Sequence, residues 1–138
     1  MAWTAFPTWA VGQVSLASDW NTYVANNMQY LYNTLYAGLW IAPSLGNSWV
    51  NYNASYSQAG YRLQGQQVFL RGALASGASG SSPFTLPAGY VPTLSTTFNG
   101  PVNAGLSYII IANTGVVTIT YSGGPAYVAI DGINFFIN

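Results

Sequence analysis

The sequence has no cysteine, histidine, lysine or glutamate, and its charged side chains reduce to Asp19, Arg62, Arg71 and Asp131. Each absence excludes a chemistry. Serine and threonine are plentiful, but without histidine or lysine nothing activates them as nucleophiles. Zinc lacks its thiol and imidazole ligands, and calcium lacks a set of carboxylates. A glycosidase needs carboxyl groups on both sides of one bond, and Asp19 and Asp131 are the only acids on offer. No enzyme activity, catalytic residue, metal or cofactor is therefore expected. Two arginines do not neutralise a phosphate track, so nucleic acid is excluded as a partner. The missing cysteine says nothing about redox compartment.

Long hydrophobic runs are missing too. No apolar run exceeds the length of Tyr108–Ala112, far short of the ~18 residues of a membrane span, so no membrane insertion is expected. The opening Met-Ala-Trp-Thr-Ala-Phe-Pro has neither a basic nor an apolar signal region, and no secretory signal is read there.

What is present is apolar and neutral. Hydrophobic residues make up 51% and aromatics 16%, while charged residues are 3%, against a usual share of about 25%. Such a chain buries enough to fold. With a formal net charge of zero, nothing repels one copy from another, and self-association is favoured. A length of 138 residues suits one compact domain with an appendage.

The composition changes near residue 40. All five tryptophans, Trp3, Trp9, Trp20, Trp40 and Trp49, precede residue 50, and glycine, proline and β-branched residues dominate afterwards. The boundary is read as 1–40 for an anchoring and trimerising segment and 41–138 for an antiparallel β-domain. Residues 1–15 read as an extended apolar arm, with Trp3, Phe6 and Trp9 as its anchors on a partner. Leu16 to Tyr36 carries a helical period through Ala17, Trp20, Val24, Met28, Leu31 and Leu35. Ser15 is the expected N-cap, Asp19 favours the first-turn dipole, and Gly38 is placed to end the helix. In heptad terms Ala17, Val24 and Leu31 share one seam position and Trp20, Asn27 and Thr34 the other. A buried Asn27 would fix register between identical helices; the alternative is an amphipathic helix packed on its own β-domain.

Beyond Gly38 the period drops to two and turn signals recur, the pattern of an antiparallel β-sandwich or jelly roll. The strands expected are Trp49–Asn53, Gly60–Gln64, Gln67–Leu74, Thr93–Phe98, Leu106–Ala112, Val116–Tyr121 and Ala126–Ile137. Asn113-Thr114-Gly115 and Ser122-Gly123-Gly124-Pro125 read as turns joining the last three into a meander. Val117, Ile119 and Tyr121 share its apolar face, and Asp131-Gly132 suggests a bulge in the last strand. Ser76 to Ser82 reads as a flexible loop. Asn53-Ala54-Ser55 matches a glycosylation sequon, without a signal peptide to make it meaningful.

Eleven tyrosines among many amides match the chemistry of adaptable binding surfaces. Tyr52, Tyr56 and Tyr61 are candidates for a sugar-stacking face, although strand aromatics more often fill a core or subunit interface. Arg62 and Arg71 fall on adjacent expected strands and are expected to pair with Asp131, within the domain or between subunits.

Two stretches carry a resemblance. The series Tyr61-Arg62-Leu63, Val68-Phe69-Leu70-Arg71-Gly72, Phe84-Thr85-Leu86-Pro87-Ala88-Gly89-Tyr90-Val91-Pro92 and Val128-Ala129-Ile130-Asp131-Gly132-Ile133 resembles the small C-terminal β-domains of tailed-phage fibre and receptor-binding proteins. Trp9-Ala10-Val11-Gly12, with Ala17-Ser18-Asp19-Trp20-Asn21-Thr22-Tyr23-Val24, is similar to the opening of phage minor structural proteins and head fibres. The resemblance implies a homotrimer made in the host cytoplasm and exposed on the virion, with other capsid or tail proteins as partners and a host-surface glycan as a further one. This chain has no long shaft between anchor and head, which favours a squat decoration or short head fibre over a far-reaching tail fibre. A tail-tip receptor-binding protein, a free lectin-like module and a self-polymerising filament subunit are the alternatives.

Overall fold

A computed structural model describes residues 5, 11–14, 16–35 and 38–137. The chain divides into two compact units, Met1–Tyr36 and Ala37–Asn138. Trp3, Phe6, Trp9 and the expected cap Ser15 lie outside the described residues.

The first unit holds one continuous helical run: α1 (Ala17–Asp19), a π-helical segment (Trp20–Ala25) and α2 (Asn26–Leu35). Leu16, in extended conformation, precedes the first turn, and its N–H donates to Asp19 Oδ2 at 2.8 Å. Asp19 thus fills an open donor as well as facing the positive end of the helix. The π segment departs from the expected uniform period. Asn26 N–H reaches back to Asn21 O, a wider turn that offsets side chains before it from those after it. A single heptad seam from Ala17 to Leu31 therefore does not hold. Among the residues of this run whose burial is described, Asn27 is the buried position, with Tyr23, Val24 and Tyr30 half-buried, whereas Ala17, Trp20, Met28, Leu31 and Tyr32 are exposed. Asn27 is buried within a single chain, so its burial requires no second copy. No described helix is long and apolar enough to cross a membrane.

The second unit is the expected antiparallel β-domain. Its strands are β1 (Val50–Asn51), β2 (Gly60–Gln64), β3 (Gln67–Arg71), β4 (Ala73–Ala75), β5 (Ser81–Thr85), β6 (Thr96–Asn99), β7 (Ser107–Ile111), β8 (Val116–Tyr121), β9 (Val128–Ala129) and β10 (Asn134–Phe136). They form three sheets, ordered β1-β4-β9, β10-β3-β2 and β5-β8-β7-β6. Alternation sends Val68 and Leu70, Ile109 and Ile111, and Val117 and Ile119 into one core with Leu74, Leu86, Val128 and Ile130. Fully burying one such side chain contributes about 1.5–3 kcal/mol.

The Asn113-Thr114-Gly115 turn is present. Gly115 N–H donates to Ala112 O at 2.8 Å, Ala112 N–H donates to Val116 O at 2.9 Å, and Gly115 takes the φ of +88° that this hairpin demands. The meander does not continue past it. The second neighbour of β8 is β5, and β9 leaves for the β1-β4-β9 sheet. Asp131-Gly132 is a turn between β9 and β10, where the chain changes sheet, rather than a bulge within one strand. Gly38 is no left-handed helix cap; its N–H donates to Leu63 O at 2.9 Å, at the edge of β2.

The Ser76–Ser82 stretch is a pinned corner, not a flexible loop. Gly77 lies against the indole of Trp49, where an added Cβ would sit 2.0 Å from the ring. Trp49 Nε1 donates to Ser81 Oγ at 2.8 Å, Tyr121 Oη donates to Gly77 O at 2.7 Å, and Ser79 Oγ bonds the Tyr121 backbone on both sides. Tyr121 meets Trp49 edge to face, with ring centres 6.3 Å apart.

Arg62 and Arg71 do not pair with Asp131. Asp131 Oδ1 accepts the Gly72 N–H at 3.0 Å, while both guanidinium groups stack on the Trp40 ring.

Candidate functional site

The sheet β1-β4-β9 carries an aromatic cluster on its outer face. Asn51 pairs with Leu74, which pairs with Val128, and Leu74 and Val128 point into the core. The next residue along, Tyr52, donates its N–H to Ala73 O at 2.9 Å. Period-two alternation therefore turns Tyr52 outward, and by continuation Tyr127 too, with the small side chains of Ala73 and Ala75 between them. Their ring centres are 4.8 Å apart. Tyr56 completes the cluster at 5.2 Å from Tyr52 and 5.1 Å from Tyr127. These are separations at which aromatic rings attract.

Amide side chains hold the supporting loops. Asn53 Oδ1 accepts the Ser55 N–H at 2.9 Å, Asn51 Oδ1 accepts the Ala59 N–H at 2.7 Å, and Gln58 Nε2 donates to Asn53 O at 3.1 Å and Tyr56 O at 3.2 Å. Across the cluster, Ala126 N–H donates to Asn103 Oδ1 at 2.7 Å. Asn53 is thus the pivot of an Asx turn that sets Tyr56 beside Tyr52. Hydrogen bonding and charge interaction with Tyr56, then partial desolvation, raise the Tyr127 phenol above its usual 10.0. The Tyr127 hydroxyl is consequently a neutral hydrogen-bonding group around physiological pH.

Of the three sequence-nominated tyrosines, the structure brings Tyr52 and Tyr56 together and sends Tyr61 elsewhere. Tyr61 is buried at 7% exposure, facing Tyr90 with ring centres 4.9 Å apart. Its position in β2 opposite Leu70 puts it on the core face, so it belongs to no ligand surface. Tyr127 takes its place. The sequence signal for Tyr127 was weak, because its partners are more than seventy residues away and only the β4–β9 pairing joins them.

A concavity of about 670 Å³ lies at the end of the β5-β8-β7-β6 sheet, lined in part by Asn99, Leu106, Tyr108, Thr120 and Ser122. Leu106 and Tyr108 are exposed there. Among the described residues no group of three or more His, Cys, Asp or Glu side chains is placed to hold a metal ion. Both surfaces offer rings, hydroxyls and amides, the chemistry of stacking and neutral hydrogen bonding.

The chain matches no protein-family model and no curated protein.

Proposed function

We propose that the protein is a non-enzymatic structural component of a bacteriophage virion, a trimeric surface decoration or short head fibre. In this reading the N-terminal arm and helix attach to the particle and to neighbouring copies, while the β-unit projects outward to stabilise the shell and adhere to the host surface. The observation that carries it is the apolar exposure of the helical segment. Trp20, Met28, Leu31 and Tyr32 are 59%, 65%, 44% and 58% exposed, on a segment whose only charge is Asp19. Apolar surface of that kind, without charge to keep copies apart, calls for a covering partner. Burying each large side chain fully would contribute about 1.5–3 kcal/mol, and three copies multiply that into a firm non-covalent attachment. The resemblance of the Phe84–Pro92 and Trp9–Val24 stretches to phage surface proteins supplies the identity of the partner.

Quantitative mass spectrometry of purified particles tests the reading. A copy number of the same order as the major shell protein fits a decoration or head fibre, a small fraction fits a tail-tip adhesin, and absence from particles refutes both. Deleting residues 1–15 is expected to leave a soluble, folded protein that no longer attaches.

A second reading, a free carbohydrate-binding module, is favoured by the Tyr52–Tyr56–Tyr127 cluster. Selective binding on a glycan array, abolished by Tyr52→Ala or Tyr127→Ala, combined with absence from particles would establish it instead.

A further inference from the structure

We propose that Arg62 and Arg71 form an oxyanion site on the outer face of the β10-β3-β2 sheet, and that its ligand is the carboxylate of an acidic saccharide. The inference rests on the host-adhesion part of the proposed function and names the ligand class.

The register places both arginines on one face: Gly60 pairs with Arg71 and Arg62 with Phe69, two residues further along. Glycine at position 60 leaves room for the Arg71 side chain, since a Cβ there would lie 3.1 Å from Arg71 Nε. The guanidinium carbons of Arg62 and Arg71 lie 4.6 and 4.5 Å from the centre of the Trp40 ring, and Arg62 is also 5.5 Å from that of Phe69. Cation–π stacking therefore holds both forks in place. It does not satisfy their donors or relieve the repulsion of two like charges at one ring.

No carboxylate among the described residues relieves it either. Asp131 Oδ1 is taken by the Gly72 N–H and Asp19 Oδ2 by the Leu16 N–H. The Nε atoms of Arg62 and Arg71 are shielded from water and have no hydrogen-bond partner. An oxyanion therefore meets these forks end on, through the terminal nitrogens, where a bidentate carboxylate fits a preorganised guanidinium.

The neighbours on that face point to a sugar. Gln64 opposes Gln67, Asn134 opposes Phe69, and Phe136 opposes Gln67, so alternation aligns three amides and an exposed phenyl ring beside the arginines. Gln67 Nε2 donates to Asn134 Oδ1 at 2.6 Å, which orients both amides. Neutral amides match hydroxyls, a phenyl ring matches the C–H face of a pyranose, and no acidic residue on these strands repels an anion. A second copy of this chain offers only Asp19 and Asp131 as carboxylate side chains, each with one oxygen already on a backbone N–H.

Isothermal titration of the full chain with oligogalacturonate tests the site, with its neutral methyl ester, inorganic phosphate, inorganic sulfate and a polyglutamate peptide as comparators. The acidic saccharide is expected to bind, to weaken as salt is added, and to lose about tenfold in affinity in each of Arg62→Gln and Arg71→Gln, the loss of one charge-assisted pair. Arg62→Lys keeps the charge and serves where Arg62→Gln does not fold; it is expected to bind several-fold more weakly for want of the fork. Equal binding of the methyl ester, unchanged affinity in the folded variants, or no binding of any probe overturns the site. Tighter binding of the peptide replaces the saccharide with a protein partner, and binding of phosphate or sulfate alone reduces the site to a small-anion contact. Particles lacking the protein would remove the virion reading and leave a measured uronate site standing; particles carrying it, without uronate binding, would do the reverse.

Discussion

The helical segment and the β-unit differ in what they do with their apolar residues. In the β-unit Val68, Ile109, Ile111, Val117 and Ile119 are fully shielded, and strand alternation turns tyrosines, amides, arginines and the ring of Phe136 to the outer faces. In the helical segment Trp20, Met28 and Leu31 are exposed, and the buried position among its described residues is the polar Asn27. The β-unit encloses an apolar core while still exposing Leu94, Leu106 and Phe136; the helical segment encloses no buried apolar side chain among its described residues. The lesson is that composition does not distinguish a stabilising apolar residue from an associating one. Which side of a regular element it occupies does.

Substitutions sharpen that contrast most where packing is tightest. Trp49→Ala removes a ring that is 3% exposed and hydrogen-bonded to Ser81, and is expected to destabilise the β-unit by about 3–5 kcal/mol. Met28→Ser, at a side chain 65% exposed, is expected to change it by less than about 0.5 kcal/mol while weakening self-association. Urea denaturation and analytical ultracentrifugation separate the two, and equal destabilisation by both would break the comparison. Gly77→Ala drives a methyl into the Trp49 ring, with an expected loss of about 1–3 kcal/mol in the same denaturation curve. Ser107→Ala strips the hydrogen bond from Ser107 Oγ to Gly100 O, 2.6 Å in length and buried, for about 1 kcal/mol in thermal melts.

The smallest effect is expected at the tyrosine cluster. Because the Tyr127 phenol is raised above 10.0 in the folded chain, the folded state holds that proton more tightly than the unfolded one. Its contribution to stability is complete below the unfolded pKa and is lost as pH rises through the folded value. Ultraviolet titration of wild type against Tyr56→Phe should show the Tyr127 ionisation moving to lower pH in the variant. An unmoved titration would mean that the two hydroxyls do not interact.

Much of the fold was legible because its signals are local. Gly60–Gln64 and Val116–Tyr121 are strands at the expected bounds, since alternation and flanking turn residues define them without help from distant partners. The strand Ser81–Thr85 was hidden by Pro83 and the serine–glycine run before it. Proline is accommodated because β5 is an edge strand, and the Gly46 N–H meets Pro83 O at 2.8 Å. The long final strand was misread because Asp131-Gly132, taken for a bulge, redirects the chain between sheets. The heptad seam failed because a π turn needs no unusual residue to mark it. In the candidate site, Tyr52 and Tyr56 were visible as near neighbours in sequence. Tyr127 and the Trp40–Arg62–Arg71 stack depend on sheet topology and long-range approach, which periodicity does not encode.

The pairing of Asn134 with Phe69 and of Val128 with Leu74 also sets a timetable for folding. The β2–β3 and β7–β8 hairpins join strands close in sequence and are expected to form early, whereas β9 and β10 close loops of more than fifty residues and come late. A nascent chain halted before Val128 would leave β3 and β4 each with an open edge, a state prone to pair with another unfinished chain. Pulsed hydrogen exchange during refolding should find the amides of Ile109 and Ile119 protected before those of Leu74 and Phe135. Synthesis of Val128 to Phe136 would then be the step that commits the β-unit to its own core instead of to a neighbour's.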